Sequence, residues 1–363
     1  MKRVLIIGPF SPPITGVSFA NDTLFDGLKG TGIKVDSINY SYPTLKENIG
    51  KFSIRKVLYY FKLYFYVYKI PLHKTVYMTP GQSFFGVLKY FPFILISKLF
   101  KKEIIIHVHG NHLWKEYENL QGNKKKIFHY ILSKFDKGIV LSPKLRKNLT
   151  PFIMGGDIYE VYNFVENNIL KNTSLDLIKK KNIETLNIVF LSNLMKEKGI
   201  IDFLNSLLIL KKNKISFKAK VAGAIDSVSK EEINRLLNQL EENVEYIGIV
   251  SGDDKLNLLI DSNIFVFPTY YSMEGQPISI LEAMATGNII LTTDHAGISD
   301  IFVNKVNGFY IKNNNPKDIA LKIENLSKSL ESYKDIMLNN YLEANKKYTT
   351  EKFINKIIEI IEK

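Results

Sequence analysis

Two glutamates, Glu274 and Glu282, stand in the part of the chain that the sequence marks most clearly as a ligand-binding loop. A buried-looking apolar run ends at Pro268, and a polar loop then leads to Glu274 and Gly275. Pro277 suits the first turn of a helix, where its missing N–H costs nothing. The first turn of a helix offers free N–H groups and a positive dipole end, which together can hold a phosphate.

Glu282 falls on the helical stripe that should face inward. It shares the i, i+3, i+4, i+7 pattern with Ile278, Leu281 and Ala285. A buried carboxylate is costly unless it is paired or hydrogen-bonded. Ribose hydroxyls are one set of donors for it. The alternative is that Glu282 is a buried salt-bridge partner and that Glu274 is a solvated loop residue.

A lysine follows another predicted strand, residues 187–191, at the start of the next helix. The connecting segment runs from Ser192 through Asn193 to Lys198 and Gly199. A lysine at a helix start opposes the helix dipole. An anionic ligand bound beside Lys198 would explain why a lysine stands at this position. A solvated lysine in a Lys-rich chain is the alternative.

A His-x-His pair, His107 and His109, ends the predicted strand 103–108, with both side chains on one side of it. Such a pair can bind zinc, but no cysteine and no convincing third ligand accompanies it, so a metal site is not predicted. Gly16 opens a helix after a proline-stiffened loop, either for close approach to a ligand or as a simple turn glycine.

Short apolar runs alternate with helical patterns in both halves of the chain, which predicts an α/β fold with parallel sheets covered by helices. We predict two Rossmann-like domains, 1–165 and 166–348, that face each other across a cleft. A last helix at about 349–363 is predicted to cross back to the first domain. Ligands of doubly wound sheets bind beyond the carboxyl ends of the strands, and the residues singled out above follow strands.

The segment from Glu274 to Glu282, within a strand–loop–helix that ends Glu-Ala-Met-Ala-Thr-Gly287, resembles glycosyltransferase family 4, a retaining family with the GT-B fold. The Leu-x-x-Glu-Lys-Gly order that ends at Gly199 also resembles that family. The resemblance is strongest over 187–311. It implies that His109, Glu274 and Lys198 are catalytic and that Glu274 contacts hydroxyls of the donor sugar.

The resemblance also implies a donor-binding set. Lys198 and the backbone of the segment Gly275, Gln276, Pro277 and Ile278 would hold the diphosphate, and Glu282 would bind the ribose. Asn193 stands where many members carry arginine, and it brings no charge. The remaining donor-site residues are Gly16, at the junction of donor and acceptor, and Ile249 and Val250, which would touch the base.

The function implied is transfer of a hexose-type sugar from a UDP- or GDP-linked donor to a glycan acceptor, with retention of anomeric configuration. No Asp-x-Asp occurs in the chain, so no divalent metal and no other cofactor is expected, and Lys198 with helix N-termini would neutralise the leaving group. The alternatives are a sugar-nucleotide epimerase or phosphorylase of the same fold, or a non-catalytic protein that binds polyanions or membranes.

Charge is distributed unevenly along the 363 residues. Residues 1–165 carry 24 Lys and Arg against 10 Asp and Glu, whereas 166–363 carry 25 against 26. The basic half contains aromatic clusters such as 59–66, which suits an anionic bilayer interface. We therefore expect a cytoplasmic enzyme at the inner face of the membrane, acting on a lipid-linked acceptor in bacterial surface-polysaccharide synthesis. Nucleic acid is not an expected partner, because no recognition motif appears.

The alternative is that helices 54–68 and 84–100 belong to the core and that their lysines are only solvated. Neither apolar stretch reaches the roughly 18 uninterrupted residues of a spanning helix.

Overall fold

A computed structural model describes residues 3–41 and 54–363. Side chains are described for 3–41 and 59–363. The chain forms two compact units. The first comprises 1–163, 273–276 and 351–363, and the second comprises 164–272 and 277–350. The acceptor and donor roles expected of the two domains stay predictions.

The first unit contains a parallel six-stranded sheet with strands in the order β2-β1-β3-β4-β5-β6. Its strands are β1 Arg3–Gly8, β2 Lys34–Asn39, β3 Thr75–Met78, β4 Glu103–Val108, β5 Lys137–Val140 and β6 Ile158–Glu160. Its helices are α1 Gly16–Gly30, α2 Ile54–Leu63, α3 Phe84–Leu88, α4 Phe91–Leu99, α5 Leu113–Asn119 and α6 Gly122–Leu132, with a 3-10 helix at Tyr64–Leu72. The central strands are almost wholly apolar, as parallel strands covered on both faces must be.

The second unit contains another parallel six-stranded sheet, in the order β12-β11-β10-β7-β8-β9. Its strands are β7 Asn187–Leu191, β8 Lys218–Ala222, β9 Val244–Gly248, β10 Ile264–Phe267, β11 Ile289–Thr292 and β12 Gly308–Tyr310. Its helices are α7 Asn167–Asn172, α8 Leu175–Lys179, α9 Ile200–Lys212, α10 Lys230–Leu240, α11 Gly252–Asp261, α12 Ile278–Ala285, α13 Pro316–Ser327 and α14 Lys334–Lys347. The predicted α/β class with two doubly wound units is confirmed.

The strand order of the second sheet reverses between β7 and β10. From β7 the chain builds outward through β8 and β9, and it then returns to the other side of β7 to place β10. Connections from two such neighbours leave in opposite directions, so a crevice opens at their carboxyl ends. The loops after β7 and β10 are the two that carry Lys198 and Glu274.

The last helix, α15 Thr350–Glu362, packs within the first unit along almost all of its length. A Cβ at Gly27 of α1 would lie 2.2 Å from the Cδ1 atom of Ile354. The buried Lys137 ammonium donates a hydrogen bond of 2.9 Å to the carbonyl of Ile360. The predicted return of this helix to the first unit is confirmed.

Two predicted helices are interrupted. The helix expected over 84–100 ends at Leu88 and restarts at Phe91, because Pro92 lacks an N–H and fits only within the first turn of a helix. The helix expected over 54–68 gives way after Leu63 to the 3-10 helix. Within residues 3–41 and 54–363, no helix is long and apolar enough to cross a bilayer.

Candidate functional site

The loops after β7 and β10 are held against each other by their backbones. The N–H of Tyr270 donates a hydrogen bond of 2.9 Å to the carbonyl of Glu197. Gly199 adopts a left-handed conformation with φ of 85°, and a Cβ there would lie 2.4 Å from the carbonyl oxygen of Pro268. Only glycine combines that conformation with that approach, so Gly199 allows the two loops to meet.

Lys198 is the last residue of a 3-10 turn, Lys196–Lys198, directly before Gly199. Its ammonium lies 4.8 Å from the ring centroid of Tyr271 and 5.5 Å from that of Phe267. The side chain is half-buried, whereas Lys196 in the same turn is exposed. The structure therefore places a positive charge at the edge where the strand order reverses, against residues that follow β10.

Glu282 is buried on α12 and its carboxylate is paired. Its Oε1 atom lies 2.7 Å from the Nζ atom of Lys255 on α11, and the same Nζ lies 2.6 Å from Oε2 of Glu166. Burial raises the pKa of Glu282, and Lys255 opposes part of that shift. Burial alone would lower the pKa of Lys255, but the two carboxylates together raise it. Lys255 and Glu166 are site residues that the sequence did not indicate.

The helix that carries Glu282 begins one residue later than predicted. Pro277 is its N-cap, with φ of −66° and ψ of 121°, and Ile278 is the first helical residue. Proline has no N–H, so donors toward an anion come from Ile278 onward and from the loop before Pro277. The phosphate-binding role predicted for this segment stays a prediction.

The short loop 273–276 groups with the first unit and lies against the end of β4. A Cβ at Gly275 would lie 2.2 Å from the carbonyl oxygen of His109, and one at Gly110 would lie 2.5 Å from that of Met273. Three predicted site residues, His109, Glu274 and Gly275, are thereby brought into one place, and Glu274 is buried there.

Gln276 fixes this loop to the first unit with its side-chain amide. Its Oε1 atom accepts a hydrogen bond of 2.7 Å from the N–H of Asn163, and its Nε2 donates one of 3.2 Å to the carbonyl of Leu141. The Asn163 side chain donates in return to the Gln276 carbonyl, at 2.7 Å. Gln276 therefore positions its neighbours Glu274 and Gly275 with its side chain.

His109 is held as a neutral imidazole. Burial lowers the pKa of His109 to about 3. Its ring centroid lies 3.9 Å from that of His107, and the pKa of His107 is also lowered by burial and by His109. The Nδ1 atom of His107 forms a hydrogen bond with the hydroxyl of Tyr77. A neutral His109 can orient or polarise a ligand but cannot act as a charged acid near pH 7.

The remaining predicted residues lie on other loops. Gly16 is the first residue of α1, behind a Thr15–Ser18 capping box, and a Cβ there would meet nothing within 4 Å. Ile249 and Val250 follow β9, with Ile249 exposed and Val250 packed on the core of the second unit. Asn193 is exposed after β7. Across residues 3–41 and 54–363, no group of three or more His, Asp or Glu side chains is arranged to hold a metal ion.

Residues 175–342 match the protein-family model described as glycosyl transferases group 1. This segment contains β7 through β12, Lys198, Lys255 and Glu282. Residues 175–342 are therefore similar to a group 1 glycosyltransferase domain. The matched segment covers nearly all of the second unit and includes the loops after β7 and β10.

Relatives of the chain carry glycosyltransferase names. The chain is 25% identical over 295 residues to the uncharacterized glycosyltransferase MJ1069 of Methanocaldococcus jannaschii. The match covers 77% of this chain and 72% of that one. It is 34% identical over 153 residues to N,N'-diacetylbacillosaminyl-diphospho-undecaprenol alpha-1,3-N-acetylgalactosaminyltransferase of Campylobacter jejuni, covering 42% of this chain but only 36% of that one. Relatives named for capsular polysaccharide and colanic acid biosynthesis also match.

Among solved structures, Anabaena Alr3699/HepE in complex with UDP-glucose matches over 100% of both chains, with a TM-score of 0.74 and 14% identity. At that identity the likeness establishes the fold alone. The two sheets and the structural likeness confirm the predicted GT-B fold, and the family match and the named relatives show that the chain is similar to glycosyltransferases.

Replacing Lys255 with methionine is expected to lower the free energy of unfolding by about 3–5 kcal/mol, because it leaves the Glu282 carboxylate buried and unpaired. Urea denaturation measures the change. Lys220→Met is the matched control, since Lys220 and Asp261 form a more exposed pair in the same unit, and the expected loss there is about 0–1 kcal/mol. Equal losses in the two variants would contradict the assigned pairing.

The imidazole resonances of His109 are expected to keep neutral-form chemical shifts from pH 8 down to pH 5, because the lowered pKa keeps the proton off the ring. NMR of the wild-type protein, assigned with His109→Asn, measures this. A titration of His109 near pH 6.5 would show that its ring is not desolvated.

Proposed function

We propose that the protein is a retaining hexosyltransferase that moves a sugar from a nucleotide-diphosphate donor to a lipid-linked glycan acceptor. The observation that carries the donor side is the position of Lys198. It lies on the paired loops at the strand-order reversal of a group 1 glycosyltransferase domain. A diphosphate bound there would meet a half-buried ammonium and the first turn of α12.

A uridine nucleotide is the first donor to test. HepE, which shares the fold over its whole length, was crystallised with UDP-glucose. GDP-linked sugars remain the second candidate, since Ile249 and Val250 would contact a base mainly through their backbone. In this proposal Glu282 accepts hydrogen bonds from ribose hydroxyls, and its ion pair with Lys255 favours the ionised carboxylate.

The proposed reaction is dissociative and takes place on one face of the sugar. The bond from the anomeric carbon to the diphosphate breaks first, and the leaving diphosphate accepts the proton of the attacking acceptor hydroxyl. Glu274 holds sugar hydroxyls, and backbone groups beside the neutral His109 steady the oxocarbenium-like sugar. Lys198 and the α12 N-terminus balance the charge that develops on the diphosphate, so the proposal needs no divalent metal.

The proposed acceptor is lipid-linked, at the inner face of the cytoplasmic membrane, in bacterial surface-polysaccharide synthesis. The Campylobacter relative is named for a diphospho-undecaprenol-linked acceptor. The first unit of this chain also exposes apolar side chains on α4 and α6. Here the α4–α6 surface means Leu95, Leu99, Phe100 and Tyr130, together with Lys98 and Lys134.

The α4–α6 surface suits an anionic bilayer in both shape and charge. Leu99 is 72% exposed and Tyr130 is 50% exposed. A hollow of about 420 Å³ between the two helices is lined by Phe91, Leu95 and Tyr130 and flanked by Lys134 and by Lys98, which forms an ion pair with Asp136. In the proposed docking, apolar groups enter the headgroup region while Lys134 meets lipid phosphates. The opposite faces of these helices are buried, with Phe93, Ile94 and Ile131 inside. Those faces therefore belong to the core of the first unit.

Lys198→Ala is expected to weaken UDP binding on the order of tenfold to a hundredfold, because a charge-assisted hydrogen bond to the diphosphate is lost. Thermal shift measures the binding, with UDP, GDP and ADP compared in the presence of EDTA. Lys196→Ala, in the same turn but exposed, is the matched control. Equal UDP affinity in the two variants would remove Lys198 from the donor site.

Glu274→Gln, measured by the same thermal-shift comparison, is expected to keep UDP binding but to lower turnover of the UDP-sugar, because the predicted contact of Glu274 is with the sugar.

Product analysis separates the alternative functions. A transferase forms a new glycoside with retained configuration, an epimerase returns an altered nucleotide-sugar, a phosphorylase requires phosphate, and a non-catalytic binder turns over nothing.

Wild-type protein is expected to co-sediment with phosphatidylglycerol vesicles at low salt and to dissociate as salt rises. The double variant Leu99→Ser, Phe100→Ser should partition at least tenfold less, since about 1.5–3 kcal/mol per buried apolar side chain is lost. Val228→Ser, an 83% exposed valine of the second unit, is the control. Equal sedimentation of both variants would rule out this surface.

A further inference from the structure

Lys89 has an unusual environment in the first unit. Its ammonium lies 4.4 Å from the ring centroid of Tyr60, 5.0 Å from that of Tyr40 and 6.0 Å from that of Tyr90. The Nζ atom donates a hydrogen bond of 3.3 Å to the hydroxyl of Tyr60. Throughout the described ranges, 3–41 and 54–363, no carboxylate forms an ion pair with Lys89.

The tyrosine rings offset only part of the cost of enclosing this charge. A desolvated ammonium normally needs a counter-charge, and ring quadrupoles are a weaker substitute. Burial accordingly lowers the pKa of Lys89 to about 8. Lys89 as a whole residue is partly exposed, although its ammonium lies among the tyrosine rings. Among the residues that the structure describes, no carboxylate supplies this counter-charge, so Lys89 has capacity for a negatively charged ligand.

The cluster is rigid. Tyr40 and Tyr90 are buried, with ring centroids 4.8 Å apart. The hydroxyls of Tyr40 and Tyr64 both donate to the carbonyl of Lys89, at 2.9 and 3.0 Å. The backbone that carries the ammonium is therefore fixed from two sides, which is how a binding group is preorganised.

The cluster also lies at the ligand-binding edge of the first sheet. Tyr40 directly follows β2, and the hydroxyl of Tyr90 donates to the carbonyl of Thr79, just after β3. These strands flank β1, where the strand order of this sheet reverses. Doubly wound sheets bind ligands at the carboxyl ends of strands around such a reversal.

We propose that Lys89, with the hydroxyl of Tyr60, binds a phosphate group of the acceptor. The inference rests on the proposed function, in which the acceptor is joined to its lipid through phosphate. Lys89 is a binding residue for the acceptor in this proposal and takes no part in breaking the donor bond.

The binding test uses the full chain labelled with 13C at lysine Cε, and the Lys89 resonance is assigned by its absence in Lys89→Arg. Inorganic pyrophosphate is the probe, and sodium glucuronate is the carboxylate comparison. The pKa of Lys89 is expected to rise by about one unit or more with saturating pyrophosphate, as an adjacent opposite charge requires. No rise with pyrophosphate, or a rise with glucuronate alone, would overturn the proposal. This measurement needs no donor and no transfer, so it is independent of the proposed function.

The kinetic test compares Lys89→Gln with Lys29→Gln, which changes an exposed lysine over Phe25 on α1. Lys89→Gln is expected to raise the KM for a phosphate-linked acceptor on the order of tenfold, with kcat and UDP binding unchanged. Lys89→Arg should restore most of that affinity. A fall in kcat with unchanged KM would assign Lys89 a structural role and overturn the proposal. If the wild-type protein transfers no sugar but the Lys89 pKa still rises with pyrophosphate, the result would instead refute the proposed function.

Discussion

The candidate site of the second unit depends on one close backbone contact, between Gly199 after β7 and Pro268 after β10. The strand order makes these two loops neighbours, but only a residue without a Cβ lets them meet. Three features follow from that approach. Lys198 is directed to the loop after β10, Tyr271 lies under its ammonium, and Glu197 accepts from the Tyr270 N–H. A positive charge thus stands on a fixed support before any ligand arrives, which would reduce the ordering cost of binding the proposed diphosphate.

The buried polar groups beside the candidate sites of the two units differ in how their charge is balanced. In the second unit, Lys255 lies between Glu166 and Glu282, so charge is balanced internally. In the first unit, His107 and His109 are kept neutral by burial, and Lys89 is surrounded by tyrosine rings in place of carboxylates. In the proposed reaction, a neutral His109 avoids placing a fixed cation beside a sugar on which positive charge develops.

Much of this arrangement was predictable from the sequence because periodicity and strand ends mark it. The central strands are continuous apolar runs, and Lys198, His109 and Glu274 all follow strands. The edge strands β6 and β12 were not predicted, since three residues carry too little pattern. The pairing of Glu282 with Lys255 was not predictable either. A buried carboxylate such as that of Glu282 requires a cationic partner. The chain has 49 lysines and arginines, and only the fold determines which of them lies beside it. The anchoring of 273–276 by Gln276 likewise depends on Asn163, far away in sequence.

The sharing of Lys255 by two carboxylates has a consequence for recombination between related enzymes. The three members of the network lie on separate pieces of chain: before α7, on α11 and on α12. A chimaera that takes α12 from this chain and α11 from a parent without the lysine would enclose the Glu282 carboxylate without its ammonium, even if every loop that touches the ligand were intact. A module that keeps the network together runs from Glu166 through Glu282, so it begins before the matched segment 175–342.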